Sequence, residues 1–200
     1  MNPAEQNQNP TPVAMILDTE TTGFSRPMSC IEVGYILLGS LDNYQEGNYL
    51  LGLPHTTFQQ AYKNTRPIEK GAFMVHGKSA EMLKNFKPYT WESLNIPDSV
   101  EYLICHSVPF DREVLGYPKR SDGSEFVGID TVTLAKHFWP GRRSYKLTNL
   151  MKEFYPDQAG SLIANAHGAL VDSKLTLLIL QKAMVEFDIS SWEELAKIGK

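Results

Sequence analysis

Cysteine is scarce in this chain of 200 residues; Cys30 and Cys105 are the only two. They form no short metal-binding or redox spacing, and both fall in apolar, strand-like segments. The sequence therefore predicts buried thiols in a reducing cytoplasm rather than a disulfide framework. Long hydrophobic runs are missing too: none approaches the roughly 18 residues that span a bilayer, so no membrane association is expected. Met1 to Pro12 is polar and rich in Asn, Gln and Pro. It lacks the basic and apolar regions of a secretory signal and reads as a disordered lead-in, with a single domain over 13–200. Internal repeats, an interdomain linker and a Ser or Cys nucleophile motif are likewise absent. Positive charge is in short supply: the net charge is -4, which argues against gripping nucleic acid by bulk electrostatics. A phosphate substrate is still compatible, because bound divalent cations supply positive charge locally.

What the chain does have is a strand-rich start followed by alternation. Val13–Leu17 is a short apolar run ending in Asp18 and reads as a buried central strand. Ile31–Leu38 is a second, interrupted by Glu32 and Gly34, and a third lies between Tyr49 and Tyr62, blurred by Pro54. Consecutive strands without an intervening helix suggest antiparallel pairing. Helical signals cover Ile68–His76 and the residues after Ser79. Two further strands, Tyr102–Cys105 and Phe126–Ile129, are followed by helical patterns at Phe110–Leu115 and Thr131–Phe138. Leu147–Phe154, Ala169–Phe187 and Ser191–Ile198 complete the helices. The pattern predicts an α/β domain, a five-stranded mixed sheet flanked by helices.

Four carboxylates occupy three short patterns: Asp18-Thr19-Glu20, His106-Ser107-Val108-Pro109-Phe110-Asp111, and His167-Gly168-Ala169-Leu170-Val171-Asp172. Asp18 and Glu20, two apart at a strand end, project from one face. Charges so close repel unless cations sit between them. Asp111 falls in the first turn of a helix begun by Pro109, a favourable place for an acid in any case. Asp172 shares a helical stripe with Leu175, Thr176 and Ile179, and a buried Asp there needs hydrogen bonds or a metal. No Lys or Arg nearby in sequence is placed to pair with these acids. His167 and Asp172, five apart, would lie about 140° from each other on one helix. His167 is therefore expected before the helix, in a mobile loop with the backbone broken at Gly168. An imidazole there suits a general base taking a proton from water.

Taken in this order, Asp-x-Glu, His-x-x-x-Phe-Asp and His-x-x-x-x-Asp resemble the DEDDh, or DnaQ-like, 3′–5′ exonuclease superfamily. Arg66-Pro67-Ile68, Val75-His76-Gly77 and the Thr133–Gly141 segment are most similar to its exodeoxyribonuclease X branch. The resemblance spans about Val13 to Met184. It implies an RNase H-like fold and two Mg²⁺ ions, which Mn²⁺ can replace, held by Asp18, Glu20, Asp111 and Asp172 with His167 as the base. It implies hydrolysis of terminal phosphodiesters of DNA, from single-stranded or frayed 3′ ends, in repair, replication or end processing. RNA or short oligoribonucleotides are the alternative substrate, and a non-catalytic binding module the remote one, because no acid is missing. Some relatives form a homodimer, and the sequence shows no interface for one. The family pattern has Asn where Ser107 stands.

Substrate contacts are sought in three places. Lys136–Lys146 interleaves cations with aromatics, which suits phosphates and base stacking; Arg142 and Arg143 are its candidate phosphate contacts. The alternative is that Phe138 and Trp139 pack inward. Phe24 is a candidate stacking partner for the terminal base, with a core role as the other option. Thr22 and Gly23 are candidates for backbone contact with the terminal nucleotide, and His76 matches a family feature near the 3′ end.

Overall fold

Successive residues of β1 (Ala14–Thr21) serve opposite faces of a sheet. Ala14 and Ile16 join a core with Leu177, Leu180 and Met184. Met15 and Leu17 join a second core with Tyr62, Val108 and Phe126. A strand buried on both faces is a central one, and β1 is third in a five-stranded sheet ordered β3-β2-β1-β4-β5. β2 (Cys30–Leu38) and β3 (Thr56–Ala61) extend it as an antiparallel meander. β4 (Tyr102–Cys105) and β5 (Val127–Asp130) run parallel to β1. The mixed sheet expected from sequence is the one formed. This computed structural model describes residues 11–41, 56–164 and 166–200. The first ten residues of the expected lead-in, and the 49–55 part of the expected third strand, lie outside the described residues.

The helices follow in chain order: α1 (Lys70–His76), α2 (Ala80–Leu83), α3 (Val108–Val114), α4 (Thr131–Phe138), α5 (Leu147–Phe154), α6 (Ala159–Ile163), α7 (Ala169–Glu186) and α8 (Trp192–Ile198). The short α6 and a 3₁₀ turn at Trp91–Leu94 have no counterpart in the periodic sequence signals. Asp130 fastens two of the helices. Its Oδ1 accepts the N–H groups of Val132 and Thr133, capping α4, and its Oδ2 accepts the N–H of Val108, where α3 begins.

α7 packs tightly on β2 because Gly34 leaves room for it. A Cβ at that position would lie 2.1 Å from the backbone nitrogen of Leu170. The Ser173 hydroxyl then donates to the Gly34 carbonyl at 2.9 Å. Both free cysteines are buried, and burial raises their thiol pKa values. Among the described residues no helix is long and apolar enough to cross a membrane.

Candidate active site

The parallel strands β1, β4 and β5 end on one side of the sheet, where open α/β sheets form their crevices. β1 delivers Asp18 and Glu20 there on its α7 face, the face of Ala14 and Ile16. α7 brings Asp172 to the same face in its first turn. One carboxylate oxygen from each of the three lies within 4.8 Å of the others. Thr19, of opposite parity, turns to the α3 face, and its hydroxyl donates to Asp111 Oδ1 at 2.8 Å. Asp111 thus arrives from the other side of the β1 end, and it is the strongest like-charge neighbour of Asp18.

These acids are held in an environment that opposes their ionisation. Burial raises the Asp18 pKa well above its ordinary value, with Asp111, Asp172 and Glu20 adding repulsion. Burial pushes Glu20 up to about 8, against the pull of Lys78. Asp111 rises to about 7 by burial, opposed by bonds from the Thr19 hydroxyl and the Cys105 thiol. Burial also raises Asp172, while the His167 N–H pulls it down. A cluster of buried oxygens that repel one another, with no Lys or Arg ion-paired to them among the described residues, fits a hard divalent cation.

His167 precedes α7, as the spacing requires. The backbone break falls on His167 itself, at φ 73°, while Gly168 is extended as the helix N-cap. This corrects the assignment of the break to Gly168. The His167 N–H donates to both Asp172 oxygens at 3.3 Å, and its half-exposed imidazole Nδ1 stands 4.0 Å from Oδ2.

Two site residues escaped the sequence reading. Glu32 faces Glu20 across the β1–β2 ladder and is buried. Lys78 Nζ lies 3.1 Å from Glu32 Oε2 and acts electrostatically on Glu20 and Asp172. Lys78, which comes from the loop between α1 and α2, therefore pairs with Glu32 and not with the four expected ligands, which have no Lys or Arg ion pair among the described residues. The charged residue inside the apolar Ile31–Leu38 run was the available signal.

Beside the carboxylates opens a cleft of about 330 Å³, walled by Glu20, Thr21 and Gly23 from β1 and its turn, Phe24, Phe110, and Ala72, Val75 and His76 of α1. Phe24 is 77% exposed, its ring 5.7 Å from that of Phe110, so a core role is excluded. Glu69 accepts the N–H groups of Phe24 and Ser25 and holds that loop. His76 Nδ1 accepts from the Lys78 N–H at 3.0 Å, so its Nε2–H donates to the Thr21 carbonyl at 3.1 Å. Burial lowers the His76 pKa.

Other expected contacts fall elsewhere. Thr22 does not line the cleft: its N–H donates to the Ser29 carbonyl and its carbonyl accepts from Glu69. Trp139 is buried against Phe154 and Phe187, and Phe138 stacks on Phe187, so these aromatics are core rather than a base-stacking surface. Arg142 is paired with Glu153 and stacks 4.7 Å above the Phe154 ring. Arg143 is exposed. Ser107, at φ 114°, supplies no side-chain cap to α3.

The exonuclease family model RNase T matches residues 15–180. DNA polymerase III subunit epsilon of Pasteurella multocida (strain Pm70) is 26% identical over 170 residues, covering 80% of the chain. The chain spans only 64% of that relative's length. A structure of exonuclease X in complex with 5′-overhanging duplex DNA superposes with a TM-score of 0.69 at 23% identity, covering 94% of this chain and all of that one. The crystal structure of cell-death related nuclease 4 gives 0.62 at 16% identity, covering 91% of this chain and 66% of the other.

Proposed function

The chain belongs to the RNase T exonuclease family, and on that premise we propose that it is a DEDDh 3′–5′ exodeoxyribonuclease dependent on two Mg²⁺ ions. It removes nucleoside 5′-monophosphates from single-stranded or frayed 3′ ends of DNA. The observation that carries this reading is the convergence of Asp18, Glu20 and Asp172 beside an apolar cleft the size of a nucleotide. The DNA held by exonuclease X, whose fold this chain shares, supports the choice of substrate.

Asp18, Glu20 and Asp172 would hold one ion, and Asp111, beside Asp18, would help hold the second. Bound there, the cations supply Lewis acidity to the phosphate oxygens and make the attacking water more acidic. The exposed imidazole of His167 takes the proton from that water. The water oxygen attacks the terminal phosphorus, the P–O3′ bond breaks, and the departing 3′ oxygen takes a proton from solvent, so that the shortened strand leaves with a 3′-hydroxyl. Phe24, propped on Phe110, stacks on the terminal base. His76, both ring nitrogens engaged, offers the cleft a fixed apolar face rather than a proton.

An end-labelled single-stranded DNA assay, with Mg²⁺ and with chelator, tests activity, polarity and cation dependence together. Stepwise shortening from the 3′ end, abolished by chelator and by Asp18→Ala, is expected. Digestion undiminished in the Asp18→Ala protein refutes the site. A matched RNA oligomer in the same assay decides between the two substrate classes.

A further inference from the structure

Helix α1 presents a problem of stability. A seven-residue helix cannot persist on its own propensity, yet none of its residues is buried. It is held at its two ends by the turn after β1. The Glu69 N–H donates to the Thr22 carbonyl at 2.7 Å, and His76 donates to the Thr21 carbonyl. Between those anchors Phe73 and Met74 stand exposed, Met74 at 72%. Met82 and Phe86, just beyond in the chain, are exposed as well. Large apolar side chains gathered in one short segment mark an interaction surface more often than an accident of composition.

The charge of this segment runs against that of the rest of the molecule. From Lys63 to Lys87 there are six cations and two carboxylates, a net of +4 in a chain of net -4. Its ends are tied together, the Lys63 N–H donating to the Lys87 carbonyl at 2.9 Å. Lys78 and Lys84 are paired with Glu32 and Glu81. Lys63, Arg66, Lys70 and Lys87 have no ion pair among the described residues, and all four are exposed.

The segment is continuous with the cleft, because Ala72, Val75 and His76 of the same helix form the cleft wall. We propose that Lys63–Lys87 is the track for the nucleic-acid strand on the 5′ side of the terminal nucleotide. Its exposed apolar side chains take the bases and its unpaired cations take the phosphates. That combination binds single strands without regard to sequence. A protein partner seated on α1 would instead crowd the mouth of the cleft that the strand must enter. This assignment rests on the exonuclease reading and replaces the Lys136–Lys146 segment, whose aromatics are spent on the core.

The test separates the track from the cleft. One variant carries Phe73→Ala, Met74→Ala and Phe86→Ala; a second carries Lys70→Gln and Lys87→Gln. All five positions are exposed, and thermal melts check that each variant folds. Affinity for a single-stranded DNA of about a dozen nucleotides is measured by fluorescence anisotropy in chelator. Hydrolysis of the p-nitrophenyl ester of thymidine 5′-monophosphate in Mg²⁺ reports the cleft alone. The aromatic variant is expected to bind the oligonucleotide at least about tenfold more weakly. The lysine variant should flatten the salt dependence of binding, by about 0.7 in log–log slope for each phosphate no longer neutralised. Both should cleave the small ester as the wild type does. Unchanged oligonucleotide affinity in both variants, with the wild type active, overturns the track and leaves the exonuclease reading standing. So does sedimentation showing that these side chains join two copies of the chain while affinity for DNA is unaltered. A wild type that binds the oligonucleotide through the track but cleaves neither substrate overturns the exonuclease reading alone.

Discussion

The backbone N–H of Ala169 donates to Glu32 Oε2 at 2.9 Å, joining residues 137 positions apart. A carboxylate thereby meets the start of α7, where the helix dipole favours it, and fixes the turn that carries Asp172. The same oxygen holds Lys78, and the other accepts from the Gln59 amide at 3.2 Å. Glu32 is thus a structural acid among the candidate metal ligands.

Removing this anchor should be costly. Glu32→Ala leaves the Ala169 N–H and the largely buried Lys78 without their partner, and a loss of about 2–4 kcal/mol is expected. Glu32→Gln keeps an acceptor for Ala169 and should lose about half as much. Urea unfolding measures both, and an unshifted midpoint for the Ala variant would refute the role.

The metal-free protein should become less stable as pH rises from about 6.5 to 8. Burial holds protons on Glu20 up to about 8 and on Asp111 up to about 7. The unfolded chain has already released these protons in that window, so the folded state binds more of them and stability falls with pH. Below the ordinary histidine value of 6.5, His76 and His106, both lowered by burial, act in the opposite sense. Mg²⁺ should reverse the decline by stabilising the ionised acids. Thermal melts with chelator and with Mg²⁺ at pH 6.5 and 8 check this, and parallel curves count against it.

His167→Ala should lower turnover by about 10²–10⁴-fold, the range for a lost general base. Metal affinity should survive, because the contact with Asp172 is made chiefly by the backbone N–H. His167→Asn, which tolerates the left-handed backbone better, should be equally slow. Calorimetry showing that affinity collapses would make His167 a ligand instead.

Gly34→Ala should cost about 2–3 kcal/mol, since the added Cβ meets helix backbone rather than a movable side chain. α7 must retreat, and Asp172 with it. Activity measured well below the melting temperature should fall as well; a fully active, stable variant would show that α7 can be displaced freely.

Much of the architecture was legible in the chain. Tyr102–Cys105, Thr131–Phe138 and Leu147–Phe154 have the boundaries their periodicity predicts. Asp172, an acid within the apolar stripe of α7, was marked for the site by that contrast. Glu32 interrupts an apolar strand in much the same way, but its sequence does not say that the side chain meets α7 and Lys78. Phe24 and Trp139 show the same limit from the other side. For both aromatics the sequence admits either a core or a substrate-contact role, and only packing makes Phe24 solvent-exposed and Trp139 core.

The order and spacing of residues determined most of the elements, the family and the candidate metal-binding acids, because periodicity and short motifs depend on neighbours along the chain. Tertiary structure decided which groups meet: Lys78 and the Ala169 N–H with Glu32, Gly34 with the α7 backbone. Those contacts join segments far apart in the chain, and they depend on strand register and helix approach, which no local pattern of residues encodes.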